Sequence, residues 1–175
     1  MTKIGLTVSL AALALAGCAT YSDMQDEELG SAILYFADGS PAGTAQVMAD
    51  GTTAKIAVNV SGMDAGQHGF HLHQTGTCTA PDFKSAGGHL NPYGKSHGSL
   101  SGDGSHLGDL PNLTVGQDGR GAATAEIGDD IAEMTSQIFD ADGTAVVVHA
   151  GPDDYVSDPA GDAGSRVACG VIERS

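Results

Sequence analysis

Six of the seven histidines in this chain, together with one aspartate, recur at spacings that suit metal ligands. They are His71, His73, His89, His97, His106, Asp109 and His149. Many imidazole nitrogens with a single carboxylate favour a borderline or soft transition metal, because calcium and magnesium prefer shells made of oxygen. The residue types therefore predict a transition-metal centre, and their number suits two ions.

Two of these histidines alternate along a predicted strand over residues 69–74. Side chains at positions i and i+2 of a strand share a face, so His71 and His73 can chelate one ion while Leu72 packs into the core. An isolated His-x-His pair is weak evidence and gains weight from the ligands that follow. His149 ends an apolar run, and a buried histidine satisfied by a backbone carbonyl is the alternative interpretation.

A long glycine-rich passage over residues 75–111 carries the other donors. Loops of this length inside a compact domain are usually functional. His89, His97, His106 and Asp109 offer three nitrogens and one oxygen, which could close a tetrahedral zinc site with no open position. Such a zinc ion would be structural and would fold the loop back onto the domain. Taken singly, each histidine could instead be an exposed loop residue.

Composition predicts what positions these donors. The chain has 175 residues, of which 41% are hydrophobic, 5% are aromatic and 26 are glycine, and this favours one all-β domain with many turns. Short apolar runs separated by turn residues predict about eight strands carrying two large ordered loops, a Greek-key barrel or sandwich. The strand-like segments are 32–37, 44–49, 54–60, 69–74, 113–115, 122–127, 137–139, 145–149 and 167–172.

The first residues are typical of a processing signal. Lys3 precedes an apolar stretch over residues 4–15 that is too short for a membrane span of ~20 residues. The small residues before Cys18 resemble a bacterial lipobox, in which that cysteine is lipidated; an ordinary secretory signal is the alternative. We therefore expect a signal peptide over 1–17, a lipidated N-terminus with an acidic tether over 18–30, and a folded domain over 31–175.

Three cysteines are an odd number for an exported chain. Assigning Cys18 to the lipid leaves Cys78 and Cys169, which should form a disulfide in an oxidising compartment. The net charge of −15 opposes binding to nucleic acid and to anionic lipid headgroups. Membrane attachment must then come from acyl chains, which contribute about 0.8 kcal/mol for each buried methylene.

Four segments together resemble the copper/zinc superoxide dismutases, and the resemblance extends from about residue 31 to residue 173. The segments are 69–74 (GFHLHQ), 87–92 (GGHLNP), 106–110 (HLGDL) and 164–172 (GSRVACGVI). The resemblance implies an eight-stranded Greek-key β-barrel with a zinc/disulfide loop and an electrostatic loop. It also implies an enzyme that converts two superoxide anions and two protons into oxygen and hydrogen peroxide.

The same resemblance implies a role for each candidate residue. Copper would be bound by His71, His73, His89 and His149, and zinc by His89, His97, His106 and Asp109. His89 would then bridge the metals and take part in catalysis by proton transfer. Arg166 would attract the anion beside copper, Asp153 would hydrogen-bond one ligand of each metal, and Cys78 and Cys169 would pair. His68 would brace loop backbone without binding metal.

Location and rival functions also follow from the sequence. We expect a periplasmic protein that lipid holds on the bacterial envelope, where it would remove external superoxide. The outer membrane is favoured because Ala19 rather than Asp follows Cys18. A homodimer is compatible with the family, and no residue locates its interface. The acidic loop over 150–165 lacks lysine, so Lys84 and Lys95 are the other candidates for guiding the anion.

A metal-buffering lipoprotein and a zinc-only structural or adhesion module are the rival classes of function, and a mononuclear zinc hydrolase is a weaker alternative.

Overall fold

Ten antiparallel strands, one short α-helix and one 3-10 helix (Lys84–Ala86) are the regular elements of the described part of the chain, residues 27–175 of a computed structural model. The predicted signal peptide, Cys18 and most of the predicted tether lie outside the described residues. The elements are β1 (Glu27–Phe36), β2 (Pro41–Asp50), β3 (Thr53–Ser61), β4 (Gly66–His68), β5 (Phe70–His73), β6 (Leu113–Val115), β7 (Arg120–Gly128), α1 (Ile131–Ile138), β8 (Ala145–His149), β9 (Arg166–Val171) and β10 (Glu173–Arg174).

The strands form one sheet that curves into a nearly closed barrel. Their order is β4-β6-β7-β3-β2-β1-β9-β8-β5, with β10 paired to β1. The two ends of this path, β4 and β5, are separated in sequence by Gly69 alone, so the chain itself draws the edges together. The connections from β3 to β4 and from β7 to β8 join strands that are not neighbours. The expected all-β Greek-key fold is confirmed.

Alternating burial explains the long hairpins of the barrel. In β3, Ile56, Val58 and Val60 are buried, while the residues between them are exposed or half-buried. The period of two places one face of the strand on the barrel core, as the sequence predicts. The turn from β2 to β3 contains Gly51 with φ +62°, a conformation that glycine adopts without strain.

Strand β8 is buried on both faces, which is why its sequence is apolar without alternation. Val146 and Val148 contribute to the main core inside the barrel. Ala145 and Val147 point the other way and pack in a second cluster with Phe83. Because Phe83 lies in the long loop between β5 and β6, this loop covers the outside of the barrel at β8. His149 therefore follows a strand held rigidly from two sides.

One predicted strand is wrong. Residues 137–139 belong to the end of α1 (Ile131–Ile138) and to Phe139 after it. Asp130 caps the helix by accepting a hydrogen bond from the Glu133 N–H at 3.0 Å. The buried residues Met134 and Ile138 lie four positions apart, which is a helical spacing. A three-residue window was too short to show this period.

The first strand also differs from its prediction. β1 begins at Glu27, so residues 27–30, which we assigned to the tether, pair with β2 instead. Glu27 and Glu28 are acidic and exposed, which suits a strand end as well as a tether, and composition could not separate the two. The short strands β4 and β10 were not predicted. Within residues 27–175 no helix has the length and apolar character needed to cross a bilayer.

Candidate metal centre

Strand β5 is the base on which the predicted ligands assemble. Its side chains alternate, so Phe70 and Leu72 enter the barrel core while His71 and His73 lie on the opposite face. All four residues are buried. Strand β8 pairs with one edge of β5, and His71 stands opposite Val147 in that register. The free edge of β5 receives the long loop over residues 74–112.

That loop pairs with β5 at two places and so delivers more ligands. The Leu72 N–H donates to the Gly108 carbonyl at 3.0 Å, and the Leu90 N–H donates to the Leu72 carbonyl at 2.8 Å. These contacts set His89 opposite His73 and Asp109 opposite His71 as isolated bridges. At Gly108 a Cβ atom would lie 2.2 Å from the Leu72 carbonyl oxygen, so this close approach requires glycine.

Four buried imidazoles form the first donor set, which we call the four-histidine cluster. One ring nitrogen from each lies within 4.8 Å of the others, and the members are His71, His73, His89 and His149. Five buried side-chain polar atoms lack a hydrogen-bond partner among the described residues; one is the Thr144 hydroxyl and four are nitrogens of this cluster, namely His71 Nδ1, His73 Nε2, His89 Nε2 and His149 Nε2. Unpaired buried acceptors are costly, so the cluster fits a ligand that these nitrogens share.

The opposite nitrogen of each ring fixes the direction of its lone pair. His71 Nε2 hydrogen-bonds Asp153 Oδ2 at 2.8 Å, His73 Nδ1 the Gly87 carbonyl at 3.0 Å and His149 Nδ1 the Gly164 carbonyl at 3.2 Å. Carbonyl and carboxylate oxygens accept hydrogen bonds, so each ring donates here and leaves its other nitrogen unprotonated. This is the arrangement of metal-binding imidazoles.

The second donor set, the three-histidine–aspartate cluster, consists of His89, His97, His106 and Asp109. Nδ1 of the three histidines lies 2.7, 3.0 and 3.1 Å, respectively, from the same oxygen, Asp109 Oδ1. The other oxygen, Oδ2, accepts the Gly98 and His106 N–H groups at 2.8 and 3.0 Å. Three nitrogens and one oxygen around a single point match the donor types of a closed zinc site.

His89 belongs to both donor sets. Its Nδ1 faces Asp109, and its Nε2 is one of the unpaired nitrogens of the four-histidine cluster. The ring is 5% exposed, and its centroid lies 4.1 Å from that of His71 and 5.2 Å from that of His97. The structure therefore brings all seven predicted ligand residues into two adjacent clusters joined by one imidazole.

A buried carboxylate connects the two clusters a second time. Asp153 Oδ2 accepts from His71 Nε2 at 2.8 Å, and its Oδ1 accepts from His97 Nε2 at 3.0 Å. The Tyr155 N–H also donates to Oδ1, at 2.6 Å. A Cβ atom on Gly161, where φ is +63°, would lie 1.9 Å from Oδ1, so the carboxylate occupies space that only glycine leaves free.

Arg166 lies on β9 beside His149, its partner in the strand register. The Nη1 group donates to the Phe83 carbonyl at 2.7 Å, and Nη2 donates to the Gly87 carbonyl at 2.6 Å. The Gly87 carbonyl also accepts from His73, so the guanidinium and a cluster histidine share an anchor. Burial lowers the pKa of Arg166, but an arginine keeps its charge in proteins.

The predicted disulfide between Cys78 and Cys169 is confirmed, with the two Cα atoms 5.7 Å apart. It ties the loop over 74–112 to β9 three residues after Arg166. His68 contacts backbone rather than a cluster: its Nδ1 lies 2.7 Å from the His149 carbonyl and its Nε2 2.9 Å from the Asp64 carbonyl.

Three further residues, which the sequence did not mark, contact His97 or Asp153. Asp158 accepts from the His97 N–H at 2.7 Å, Gly161 makes room for the Asp153 carboxylate, and Asn112 hydrogen-bonds the Asp153 backbone. No local motif marks them, because each acts across a sequence distance of eight to 61 residues. The abundance of glycine and aspartate over residues 150–165 was the available clue.

Burial opposes the protonation of three members of the four-histidine cluster. Desolvation, with the neighbouring rings adding to it, lowers the pKa of His73 to about 2, that of His149 to about 3 and that of His89 to about 4. For the two carboxyls, burial alone would raise the pKa. In Asp109, hydrogen bonds from His89 and Gly98 outweigh it and lower the pKa, and in Asp153 those from His71 and His97 do the same. Near neutral pH His73, His149 and His89 are therefore neutral and Asp109 is ionised, as metal ligands must be.

Comparison with known proteins agrees with this geometry. Residues 41–172 match the model of the copper/zinc superoxide dismutase family. A "Superoxide dismutase [Cu-Zn]" of Caulobacter vibrioides is 39% identical over 169 residues, which cover 93% of this chain and 96% of the relative. "Superoxide dismutase [Cu-Zn] 2" of Aquifex aeolicus is 41% identical over 140 residues, which cover 77% of this chain and 81% of the relative.

Solved structures give the same result for the fold. A superoxide dismutase-like protein from Bacillus subtilis aligns with a TM-score of 0.77 at 35% identity, covering 83% of this chain and 99% of that one. The Cu/Zn superoxide dismutase from Brucella abortus aligns with a TM-score of 0.65 at 30% identity, covering 82% of this chain and 98% of that one. With a family match over most of its length and one relative similar along nearly the whole chain, this protein belongs to the copper/zinc superoxide dismutase family.

Proposed function

We propose that this protein dismutates superoxide at a copper ion held by the four-histidine cluster, with zinc held by the three-histidine–aspartate cluster and His89 bridging the two. One observation carries the proposal: the four unpaired buried nitrogens converge, and one of them is on the ring whose other nitrogen faces Asp109. All-nitrogen donors suit copper, whereas three nitrogens with a carboxylate suit zinc. The family match supports this assignment of metals.

Copper bound by the four-histidine cluster would supply the redox couple that dismutation needs. Zinc does not change its oxidation state and serves to hold the ligands. The rest of the work falls to residues of the chain. Asp153 and Asp109 orient the His71, His97 and His89 rings, and the carbonyls of Gly87 and Gly164 orient His73 and His149.

His89 is the proposed proton carrier. Reducing superoxide to hydrogen peroxide consumes two protons, and a buried site needs a group that delivers one at the right place. Nε2 of His89 lies inside the four-histidine cluster and is free to hold a proton whenever it does not hold metal. Nδ1 stays directed at Asp109 and the second cluster, so the ring keeps its orientation while Nε2 receives and passes on its proton.

Arg166 is the proposed attractor of the substrate anion. The chain carries a net charge of −15, so the general field of the protein repels superoxide. A guanidinium beside His149 supplies a local positive charge. Its two hydrogen bonds to Phe83 and Gly87 fix that charge in one orientation, and the fork geometry leaves other N–H groups available for the anion.

Metal loading separates this proposal from its rivals. Protein loaded with copper and zinc should hold one of each per chain and consume superoxide rapidly in pulse radiolysis. His149→Ala should lose copper and keep zinc, and His106→Ala should do the reverse, because each residue belongs to a single cluster. Both ions bound without turnover would indicate a metal-buffering protein. A zinc-loaded protein that takes up no copper would indicate a zinc-only module.

Replacing Arg166 by alanine should lower the second-order rate constant with superoxide about ten- to a hundredfold at low ionic strength and leave both metals bound. Arg120→Ala is the matched control, because it removes the same charge from an exposed site at the start of β7, outside both clusters. Equal losses in the two variants would assign the effect to net charge and remove Arg166 from the catalytic set.

The stability of the metal-free protein should fall with pH below about 6.5. The histidines of the unfolded chain bind protons near that pH, while folded His73, His149 and His89 resist protonation down to about 2, 3 and 4. The contribution of these rings to the free energy of unfolding is therefore fully present above pH 6.5. It is lost as the pH falls toward 4, by up to about 1.4 kcal/mol per pH unit for each ring.

Urea unfolding of the metal-free, disulfide-intact protein between pH 7.5 and 4.5 measures this slope. Asp109 and Asp153 have lowered pKa values, and their loss of stabilisation begins only as the pH approaches the ordinary aspartate value of 3.8. Their contribution is thus separate from that of the histidines. His149→Asn should flatten the slope. A wild-type protein whose stability is constant over this range would contradict the burial of the rings.

We also propose that the protein is held on the bacterial envelope by lipid on Cys18, facing the periplasm, where it would remove external superoxide. The lipobox-like sequence supports this, and the net charge of −15 opposes attachment through anionic headgroups, which leaves the anchoring to acyl chains. Cys18→Ser should move the exported protein from the membrane fraction to the soluble fraction. Mass spectrometry of the wild-type N-terminus should show acyl chains, and an unmodified N-terminus would contradict the anchor.

A further inference from the structure

Asn112 holds the backbone of Asp153 from both sides. Asn112 lies in the connection between Asp109 and strand β6, and its side chain is half-buried. Its Nδ2 donates to the Asp153 carbonyl at 2.9 Å, and its Oδ1 accepts from the Asp153 N–H at 2.8 Å. The Asn112 backbone N–H also donates to the Tyr155 hydroxyl at 2.8 Å. Asn112 therefore hydrogen-bonds both ends of the segment from Asp153 to Tyr155.

This contact matters because of where Asp153 lies. Residues 150–165 contain no helix or strand. The Gly151 and Asp154 N–H groups donate to the Ala163 and Gly161 carbonyls of the same loop, and the Gly151 carbonyl ties the start of the loop to the barrel by accepting from the Gly69 N–H. The Asn112 amide adds a connection at Asp153 itself, which it joins to the residue that precedes β6 across 41 positions of sequence.

We propose that Asn112 is a positioning residue of the metal centre. Paired bonds to the N–H and C=O of one residue fix both its place and the orientation of its peptide groups, as a strand partner does. With that backbone fixed, the Asp153 carboxylate reaches His71 of one cluster and His97 of the other. Asn112 thus acts on both metals through Asp153 and contacts neither set of ligands itself.

The inference rests on the proposed function, because it assumes that the two clusters hold copper and zinc. Residues that orient metal ligands typically change metal affinity by 10- to 100-fold when they are mutated. Losing an ordinary loop hydrogen bond lowers stability modestly and has no particular effect on a metal. The two roles therefore predict different results for the same substitution.

The chain offers a matched control in Asn91. Its side chain makes the same pair of bonds to one residue: Nδ2 donates to the Lys95 carbonyl at 2.9 Å, and Oδ1 accepts from the Lys95 N–H at 2.9 Å. Lys95 is exposed and hydrogen-bonds no cluster histidine. Asn91→Ser therefore removes an equivalent pair of side-chain amide hydrogen bonds from the same long loop and leaves the bonds to Asp153 in place.

The test uses protein loaded with copper and zinc and measures two quantities. The first is the rate at which zinc passes to an excess of chelator, and the second is the copper EPR spectrum. Asn112→Ser should release zinc about 10- to 100-fold faster than wild type and shift the EPR parameters in the direction that Asp153→Asn shifts them. Asn112→Asp should do the same, since it keeps the acceptor and loses the donor. Asn91→Ser should remain within about twofold of wild type.

The double variant Asn112→Ser/Asp153→Asn completes the test. If Asn112 acts through Asp153, the double variant should lose zinc no faster than Asp153→Asn alone. Additive effects, or an equal effect of Asn91→Ser, would overturn the inference. The inference would also be overturned if the parent protein holds both metals and dismutates superoxide but the Asn112→Ser variant keeps the wild-type zinc release rate and EPR spectrum. A parent that fails to hold copper and zinc would instead overturn the proposed function.

Discussion

The structure depends above all on one imidazole placed between two sets of metal donors. His89 is buried, its Nδ1 lies 2.7 Å from Asp109, and its Nε2 points into a group of histidine nitrogens with no partner of their own. Burying unpaired polar atoms costs free energy, and metal ions bound there would recover that cost. Metal binding at these clusters would therefore favour the folded state, and both clusters depend on the position of a single ring.

The barrel supplies the rigid side of this arrangement and the loops supply most of the ligands. Strand β5 carries two histidines and is fixed by β8 on one edge. The long loop pairs with its other edge at Leu72, which aligns His89 and Asp109 with the strand. The disulfide and the Arg166 contacts hold the same loop to β9. Functional residues on loops held by a rigid scaffold are common, and here the loop is itself paired like a strand.

The acidic loop over residues 150–165 is explained by hydrogen bonding more than by guidance of an anion. Asp153 accepts from two histidines, and Asp158 accepts from the His97 N–H. Asp154 accepts from the Val156 and Ser157 N–H groups within the loop. These carboxylates hold the loop in shape and orient ligands. Lys84 pairs with Asp82 at 3.3 Å, which weakens its positive field and favours Arg166 over Lys84 as the proposed attractor of the anion.

The sequence by itself determined the donor types, the all-β class and most strands. Alternation in β3 and the apolar run of β8 are local patterns of backbone period and burial, so they survive without knowledge of the partners. The same locality explains the errors: the helix over Ile131–Ile138 needed a longer window, and the acidic start of β1 has no apolar alternation to mark it.

Only the tertiary structure decided which nitrogens are unpaired, which ring is shared and what holds Asp153 in place. Those properties arise from contacts such as Asn112 with Asp153 and Asp158 with His97, which join residues 41 and 61 positions apart. No spacing in the chain encodes such a contact, because the distance between two loop residues is set by how the barrel between them closes.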